Sequence, residues 1–140
     1  MKETRDDDHD GLKILIADDD DVSHRLIEKG LKIFCYQFLK ASNGAEAVEL
    51  ARLNPDIDLI MMDIQMPIMN GIDAVKQIRD FNKDVIIIAQ TAYALSWDKE
   101  QAIEAGCNEY ISKPIMKMTL HNLVYHFFPI LNPSAKSDKL

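Results

Sequence analysis

The hydrophobic positions of the chain form short apolar runs that alternate with longer stretches of helical spacing. Three apolar runs have the form of parallel strands buried on both faces: Leu12–Ala17, 57–64 and 85–89. Two weaker and more polar runs, Cys35–Ala41 and Glu109–Ser112, are typical of strands near the edges of a sheet. The pattern therefore predicts five strands.

Apolar residues recur at intervals of three and four in the stretches between and after these runs, which predicts five helices. In four of the helices the residues expected to face the core are Leu26, Gly30, Ile33 and Phe34; Ala47, Val48 and Ala51; Ile72, Val75 and Ile78; and Leu120, Leu123, Val124 and Phe127. Residues 97–105 offer only Ala102, Ile103 and Ala105 for burial. We therefore expect the fourth helix to pack most loosely and to be the mobile one.

Strands that alternate with helices indicate an α/β fold, with a five-stranded parallel sheet flanked by five helices and joined by right-handed crossovers. Five strands of this size commonly take the doubly wound, flavodoxin-like order 2-1-3-4-5, in which ligands bind at the carboxyl ends of the strands. We expect the folded domain to span 12–130, with a disordered acidic leader at 1–11 and a disordered tail at 131–140.

Composition narrows the classes of function. The 140 residues, 47% of them hydrophobic, suit a single globular domain. The net charge of -7 argues against direct binding of nucleic acid or of anionic membranes. The polar, acidic start excludes a signal peptide, and no apolar run approaches the length of a membrane span, so a cytoplasmic location is expected. Cys35 and Cys107 lack metal-site spacing and are expected to be reduced packing residues.

Polar side chains follow several of the predicted strands. Asp18 and Asp19 follow the first strand, Asp63 the third, Thr91 the fourth and Lys113 the fifth. A single aspartate in such a place is more often a helix cap, but capping does not account for the whole group. Several carboxylates at one edge repel each other unless a cation lies between them, and an all-oxygen site of this kind suits Mg²⁺.

Lys113 adds a positive charge and Thr91 a hydroxyl donor at the same edge. With Mg²⁺ they can hold the equatorial oxygens of a phosphoryl group while the Asp63 carboxylate attacks phosphorus. A surface salt bridge between Lys113 and Asp63 is the simpler alternative. The sequence leaves open whether the Lys113–Pro114 peptide bond is cis or trans.

Four segments in this order carry a resemblance to a known family: ILIADDDD (14–21), MDIQMPIMNG (62–71), QTA (90–92) and YISKP (110–114). Together they resemble the receiver domains of response regulators in two-component systems, over nearly all of 12–128. The longer segment MDIQMPIMNGIDAVKQIR further resembles the receivers of hybrid sensor histidine kinases. The segments are specific as a set and unspecific one by one.

The resemblance implies a role for each polar residue at the predicted edge: a metal-binding pair at Asp18 and Asp19, the phosphoacceptor Asp63, a backbone metal ligand at Gln65, the phosphate-binding Lys113, and the switch residues Thr91 and Tyr110. Gln65 and Tyr93 occupy the positions that tune self-dephosphorylation in the family. Asp20 and Asp21 exceed the family's pair and are expected to be solvated charges at a helix start.

The function implied is that of a phosphoacceptor. Asp63 would take a phosphoryl group from the phosphohistidine of a histidine kinase or histidine phosphotransfer domain, with Mg²⁺, and switch the face built by the fourth helix, fifth strand and fifth helix. A homodimer through that face is one option. Such a domain catalyses its own phosphorylation and dephosphorylation without turning over a foreign substrate. The alternative is a degenerate receiver that acts only as a protein interaction module.

Other classes of function fit the sequence poorly. Asp6, Asp8, Asp10 and Gly11 match the opening of an EF-hand loop, but Ala17 stands where its closing glutamate belongs. An aspartate-nucleophile phosphatase needs a general acid where Gln65 stands, and a nucleotide or flavin site needs a glycine-rich loop after the first strand. The four histidines have no partner motif and are expected at surface or boundary positions: His9, His24, His121 and His126.

Overall fold

The computed structural model describes residues 11–92 and 96–134, without the side chains of residues 96 and 97. The strands are β1 Leu12–Ala17, β2 Cys35–Ala41, β3 Leu59–Asp63, β4 Ile86–Thr91 and β5 Glu109–Ser112. The α-helices are α1 Asp21–Leu31, α2 Gly44–Leu53, α3 Gly71–Phe81, α4 Ser96–Ala105 and α5 Lys117–Phe127. Short 3-10 turns, Lys32–Phe34 and Pro129–Leu131, follow α1 and α5. The predicted alternation of strands and helices is confirmed.

The strands form one parallel sheet in the order β2-β1-β3-β4-β5. This confirms the predicted doubly wound order and the two edge strands. The third strand begins at Leu59, two residues later than the apolar run suggests. Asp58, just before it, is tied to Lys13 instead, since its carboxylate accepts the Lys13 N–H at 2.9 Å. The fourth strand continues to Thr91 because Gln90 and Thr91 still pair with β5.

The sheet divides the hydrophobic core into two layers, because alternate residues of a strand point to opposite faces. Leu15 and Ala17 of β1 face a layer formed with α2, α3 and α4. Ile14 and Ile16 face a second layer formed with α1 and α5. All four side chains are fully buried, and both layers therefore hold the ends of the strands in place.

The predicted core face of the first helix is wrong in part, since Gly30 and Phe34 are buried as expected but two other residues are not. Leu26 and Ile33 are exposed, and the buried residues of α1 are His24, Ile27, Gly30 and Leu31. His24, Ile27 and Leu31 are spaced three and four residues apart and so share one helix face, which does not include Leu26. Ile33 lies in the 3-10 turn that follows, outside the helical spacing.

The expectation for the histidines is also wrong for His24, which is 5% exposed. His121 is half-buried and packs edge-on against the Phe34 ring, and His126 is exposed, as expected. His9 lies outside the described residues. In α4, Ala102 and Ala105 are buried while Ile103 is 43% exposed.

Within the described residues, no helix combines the length and apolar character that crossing a bilayer requires.

The starts of α2 and α3 pack against the loop that follows β3. The Gly44 N–H donates to the Met69 carbonyl at 2.9 Å, and the Gly71 N–H donates to the Ile64 carbonyl at 2.8 Å. A Cβ atom at Gly71 would lie 2.2 Å from the Asp63 carbonyl oxygen. Glycine at this position therefore allows α3 to begin directly beside the end of β3.

We expect Gly71→Ala to lower the free energy of unfolding by about 2 kcal/mol or more, because backbone atoms must move to admit the methyl group. Gly30→Ala is the matched control, since its methyl group would meet only the flexible end of the Leu120 side chain, at 2.6 Å. There the helix propensity of alanine offsets the contact by ~1 kcal/mol. Urea denaturation of both variants measures the difference, and equal losses would contradict this account of Gly71.

Candidate functional site

Three acidic side chains meet at the carboxyl ends of β1 and β3. Asp18, Asp19 and Asp63 each offer a carboxylate oxygen, and these atoms all lie within 4.8 Å of one another. Asp18 and Asp63 are buried, whereas Asp19 is exposed. The cluster has a buried floor and an open side, because β1 and β3 are adjacent and both end at this edge.

The Asp18 carboxylate is held from two directions. Its Oδ1 accepts the Asp20 N–H at 2.9 Å. Its Oδ2 accepts the side-chain N–H of Gln90 at 3.0 Å and lies 3.0 Å from the Lys113 ammonium. These contacts leave the carboxylate little freedom to turn.

Lys113 bridges the two buried acids. Its ammonium lies 3.0 Å from Asp18 Oδ2 and 3.4 Å from Asp63 Oδ2. Its backbone N–H donates to the Thr91 carbonyl at 2.7 Å, which fixes the loop after β5, and the Lys113–Pro114 peptide bond is cis. Burial opposes the charge of the lysine, but the contacts with Asp18 and Asp63 prevail and raise its pKa.

The ionised form of the Asp63 carboxylate is disfavoured by its surroundings. Its Oδ1 accepts the Gln65 N–H at 3.2 Å. Burial, and next the nearby Asp18 charge, raise the pKa of Asp63 to about 6, while Lys113 and the Gln65 N–H oppose the shift. The ammonium of one lysine therefore does not fully compensate the negative charge at this edge.

The donor set fits a hard divalent cation. It consists of carboxylate oxygens, it carries more negative charge than Lys113 neutralises, and Asp19 keeps one side open to solvent. Oxygen ligands and room for bound water are what Mg²⁺ requires. The acidic cluster can thus hold a metal ion, with Asp18, Asp19 and Asp63 as the side chains available to it.

Thr91 and Tyr110 lie on the adjoining strands β4 and β5. Thr91 is fully buried, Tyr110 is half-buried, and a side-chain hydrogen bond joins them. Burial, followed by the charge of Asp98 in α4, raises the pKa of the Tyr110 phenol. The two side chains form a direct connection from the edge that carries Asp63 to α4 and β5.

The remaining residues predicted from the sequence have three different outcomes. Asp20 and Asp21 are not part of the cluster, because Asp20 caps α1 and the exposed Asp21 pairs with Lys40 at 3.2 Å. Gln65 is exposed in the loop after β3, and its backbone role as a metal ligand stays a prediction. Tyr93 lies outside the described residues.

Sequence reasoning missed the part played by Gln90. This residue belongs to the QTA segment, yet only the threonine of that segment received a role. The available signal was a large polar residue inside the apolar run VIIIAQTA, at a position where a buried strand continues. Its contact with Asp18 joins residues 72 positions apart, which no local pattern indicates.

Comparisons with known proteins agree with this geometry. Residues 14–125 match the family described as "Response regulator receiver domain". The chain is 39% identical over 125 residues to hybrid signal transduction histidine kinase G of Dictyostelium discoideum, covering 85% of this chain and 4% of that protein. It is 36% identical over 104 residues to the polar-differentiation response regulator DivK of Brucella anthropi, covering 73% of this chain and 84% of that protein.

Solved structures give the same result. The receiver domain of the response regulator Ssk1 of Saccharomyces cerevisiae, crystallised with the histidine phosphotransfer protein Ypd1, superposes with a TM-score of 0.78 at 30% identity. That match covers 89% of this chain and 96% of the other. CheY of Borrelia burgdorferi, in its CheX, BeF3 and Mg complex, gives 0.79 at 25% identity, covering 84% and 89%.

The raised pKa of Asp63 predicts a pH dependence of stability in metal-free protein. The folded state binds the Asp63 proton more tightly than the unfolded chain, so this contribution is present below pH 3.8 and is lost as pH rises to about 6. Asp63→Asn should therefore stabilise the protein at pH 7.5 by on the order of 2 kcal/mol. The gain should shrink toward zero near pH 4.

Urea denaturation in the presence of a chelator, at several pH values, measures this difference. Asp80→Asn is the matched control, because Asp80 is an exposed acid on α3. A gain at pH 7.5 that persists unchanged at pH 4 would show that ionisation of Asp63 is not its source.

Proposed function

The chain belongs to the response regulator receiver domains of two-component signalling, and on that premise we propose that Asp63 is its phosphoacceptor. The observation that carries the proposal is the Asp18–Lys113–Asp63 arrangement. It combines a buried nucleophilic carboxylate, a fixed cation 3.4 Å away and an acidic cluster suited to a divalent ion. Each component matches a requirement of phosphoryl transfer to a carboxylate.

In the proposed reaction an oxygen of Asp63 attacks phosphorus of a phosphohistidine. The new O–P bond forms as the P–N bond breaks, and the imidazole leaves with the electron pair and takes up a proton. Asp18, Asp19 and Asp63, with the Gln65 carbonyl, would hold Mg²⁺, which would supply charge stabilisation. Lys113 stabilises the developing charge on the phosphoryl oxygens, and the Thr91 hydroxyl donates to one of them.

The pKa of Asp63 bears on this chemistry. The group must be ionised to act as a nucleophile, and its pKa of about 6 leaves it largely ionised at neutral pH. A cation bound between Asp18 and Asp63 favours the ionised form further. Cation binding and nucleophile activation are therefore coupled in the proposed site.

The donor we propose is a histidine kinase or a histidine phosphotransfer domain. Two comparisons support this class of partner: the Ssk1 receiver crystallised with Ypd1, and the similarity to hybrid histidine kinase G. This chain covers 4% of that kinase and 13% of the kinase BarA of Escherichia coli. The similarity therefore concerns the receiver domain and not the kinase activity of those longer proteins.

We propose that the signal leaves through the output face, defined here as α4, β5 and α5. Phosphorylation would draw the Thr91 hydroxyl toward the phosphoryl group and so change its hydrogen bond with Tyr110. The altered output face would then promote formation of a homodimer through that face. Gln65 and Tyr93 would tune the lifetime of the aspartyl phosphate.

We expect Asp63→Asn to abolish phosphorylation by acetyl phosphate or by a phosphorylated histidine phosphotransfer protein, while the fold persists, because the amide keeps the shape but lacks the nucleophilic charge. Retention of labelled phosphate on the protein, with Mg²⁺ present, measures the effect. Asp80→Asn is the matched control and should be labelled normally.

Two outcomes would count against the proposal. Undiminished labelling of Asp63→Asn would place the acceptor elsewhere. A wild-type protein that takes no label from either donor would favour the alternative of an interaction module without phosphotransfer.

We expect Thr91→Ala to be phosphorylated but to lose the response of the output face, because the hydroxyl that couples the phosphoryl group to Tyr110 is absent. Amide hydrogen exchange of α4 and β5, compared with and without acetyl phosphate and Mg²⁺, measures that response. Thr119→Ala is the matched control, since Thr119 is exposed on α5. A change in exchange as large in Thr91→Ala as in the wild type would contradict the coupling.

A further inference from the structure

Gln90 is a polar side chain in a place that favours an apolar one. It lies in β4 and is fully buried. It projects to the same face of the sheet as Ile88, which packs in the layer formed with α1 and α5. Its amide N–H donates to Asp18 Oδ2, whereas its Oε1 is buried and lacks a hydrogen-bond partner in the part of the chain that the structure describes.

An unpaired amide oxygen in the interior costs free energy that a methionine or leucine at this position would avoid. Packing alone therefore does not explain a glutamine here. Within the described residues, the Gln90 side chain makes one hydrogen bond, to Asp18, and this bond is itself buried. We therefore look for the role of Gln90 in its hydrogen bond to Asp18.

The Asp18 oxygen that accepts from Gln90 is also the oxygen paired with Lys113, at 3.0 Å in both cases. In the proposed phosphotransfer, Lys113 would contact the phosphoryl oxygens as well as Asp18. The Gln90 amide, in contrast, donates to Asp18 without also contacting the phosphoryl group. Together with the Asp20 N–H on Oδ1, it can keep the carboxylate in one orientation throughout.

We propose that Gln90 is a positioning residue that fixes the Asp18 carboxylate for a divalent cation. The proposal rests on the proposed function, in which Asp18 binds Mg²⁺. Gln90 acts through Asp18 and does not itself touch the metal or the phosphoryl group. Hydrogen-bond partners that orient metal ligands typically change metal affinity by about 10–100-fold when they are removed.

The test is a Mg²⁺ titration of Gln90→Met, followed by NMR chemical shifts. Methionine keeps the length of the side chain and removes the donor. We expect the Mg²⁺ dissociation constant to rise about tenfold, with a smaller change in the rate of phosphorylation at saturating Mg²⁺. Gln37→Met is the matched control, because Gln37 is exposed on the edge strand β2.

Two further measurements separate positioning from a structural role. The unfolding temperature of metal-free Gln90→Met should change little, because removal of the unpaired Oε1 offsets the loss of the donor to Asp18. In an Asp18→Ala background, Gln90→Met should cause no additional loss of Mg²⁺ affinity, since it acts through Asp18. If Gln90→Met is unstable, Gln90→Leu supplies a second side chain without a donor for the same titration.

The proposal is overturned if a folded variant lacking the donor binds Mg²⁺ within twofold of the wild type. A further tenfold loss in the Asp18→Ala background would also overturn it, because Gln90 would then act by another route. Failure of the proposed function looks different, since the wild-type protein itself would then neither bind Mg²⁺ nor take up phosphate.

Discussion

The electrostatic balance among Asp18, Lys113 and Asp63 is the constraint on which the site depends. Two carboxylates are buried at one edge of the sheet, and one ammonium lies between them, 3.0 Å from the first and 3.4 Å from the second. Repulsion between the acids and loss of hydration are unfavourable, and the pKa of Asp63, about 6, reflects both. The rest of the fold supplies the free energy that holds these groups together, and a cation bound beside them relieves part of the cost.

That free energy comes from the strands behind the site. β1 and β3 are buried on both faces, and their side chains fill the two hydrophobic layers. Because the strands are parallel and adjacent, their last residues cannot separate without disturbing both layers. The loop after β3 is held in turn by α2 and α3, whose first residues, Gly44 and Gly71, contact its backbone. The acidic cluster is therefore built at the ends of strands that are buried on both faces.

The sequence predicted what depends on periodicity and missed what depends on long-range contacts. Strands buried on both faces are continuous apolar runs, so the five strands and their alternation with helices could be recognised. Part of the core face of α1 could not, because the polar His24 is buried there while the apolar Leu26 is exposed. The polar residues at the strand ends were found from their order along the chain. The bond between Gln90 and Asp18 was not, since it depends on how β4 approaches β1 across β3.

The pleat of β4 determines how substitutions in this strand affect the site. Gln90 and Thr91 are neighbours in sequence, yet their side chains project to opposite sides of the sheet, one toward the layer with α1 and α5, the other toward the layer with α3 and α4. In the proposed mechanism, Gln90 supports binding of the cation and Thr91 supports transmission of the signal. Gln90 acts through its hydrogen bond to Asp18 and Thr91 through its hydrogen bond with Tyr110, so substitutions at the two positions affect one phosphorylation site through different contacts. Two neighbouring residues of one strand thus give two separate positions at which substitution can change the behaviour of the site.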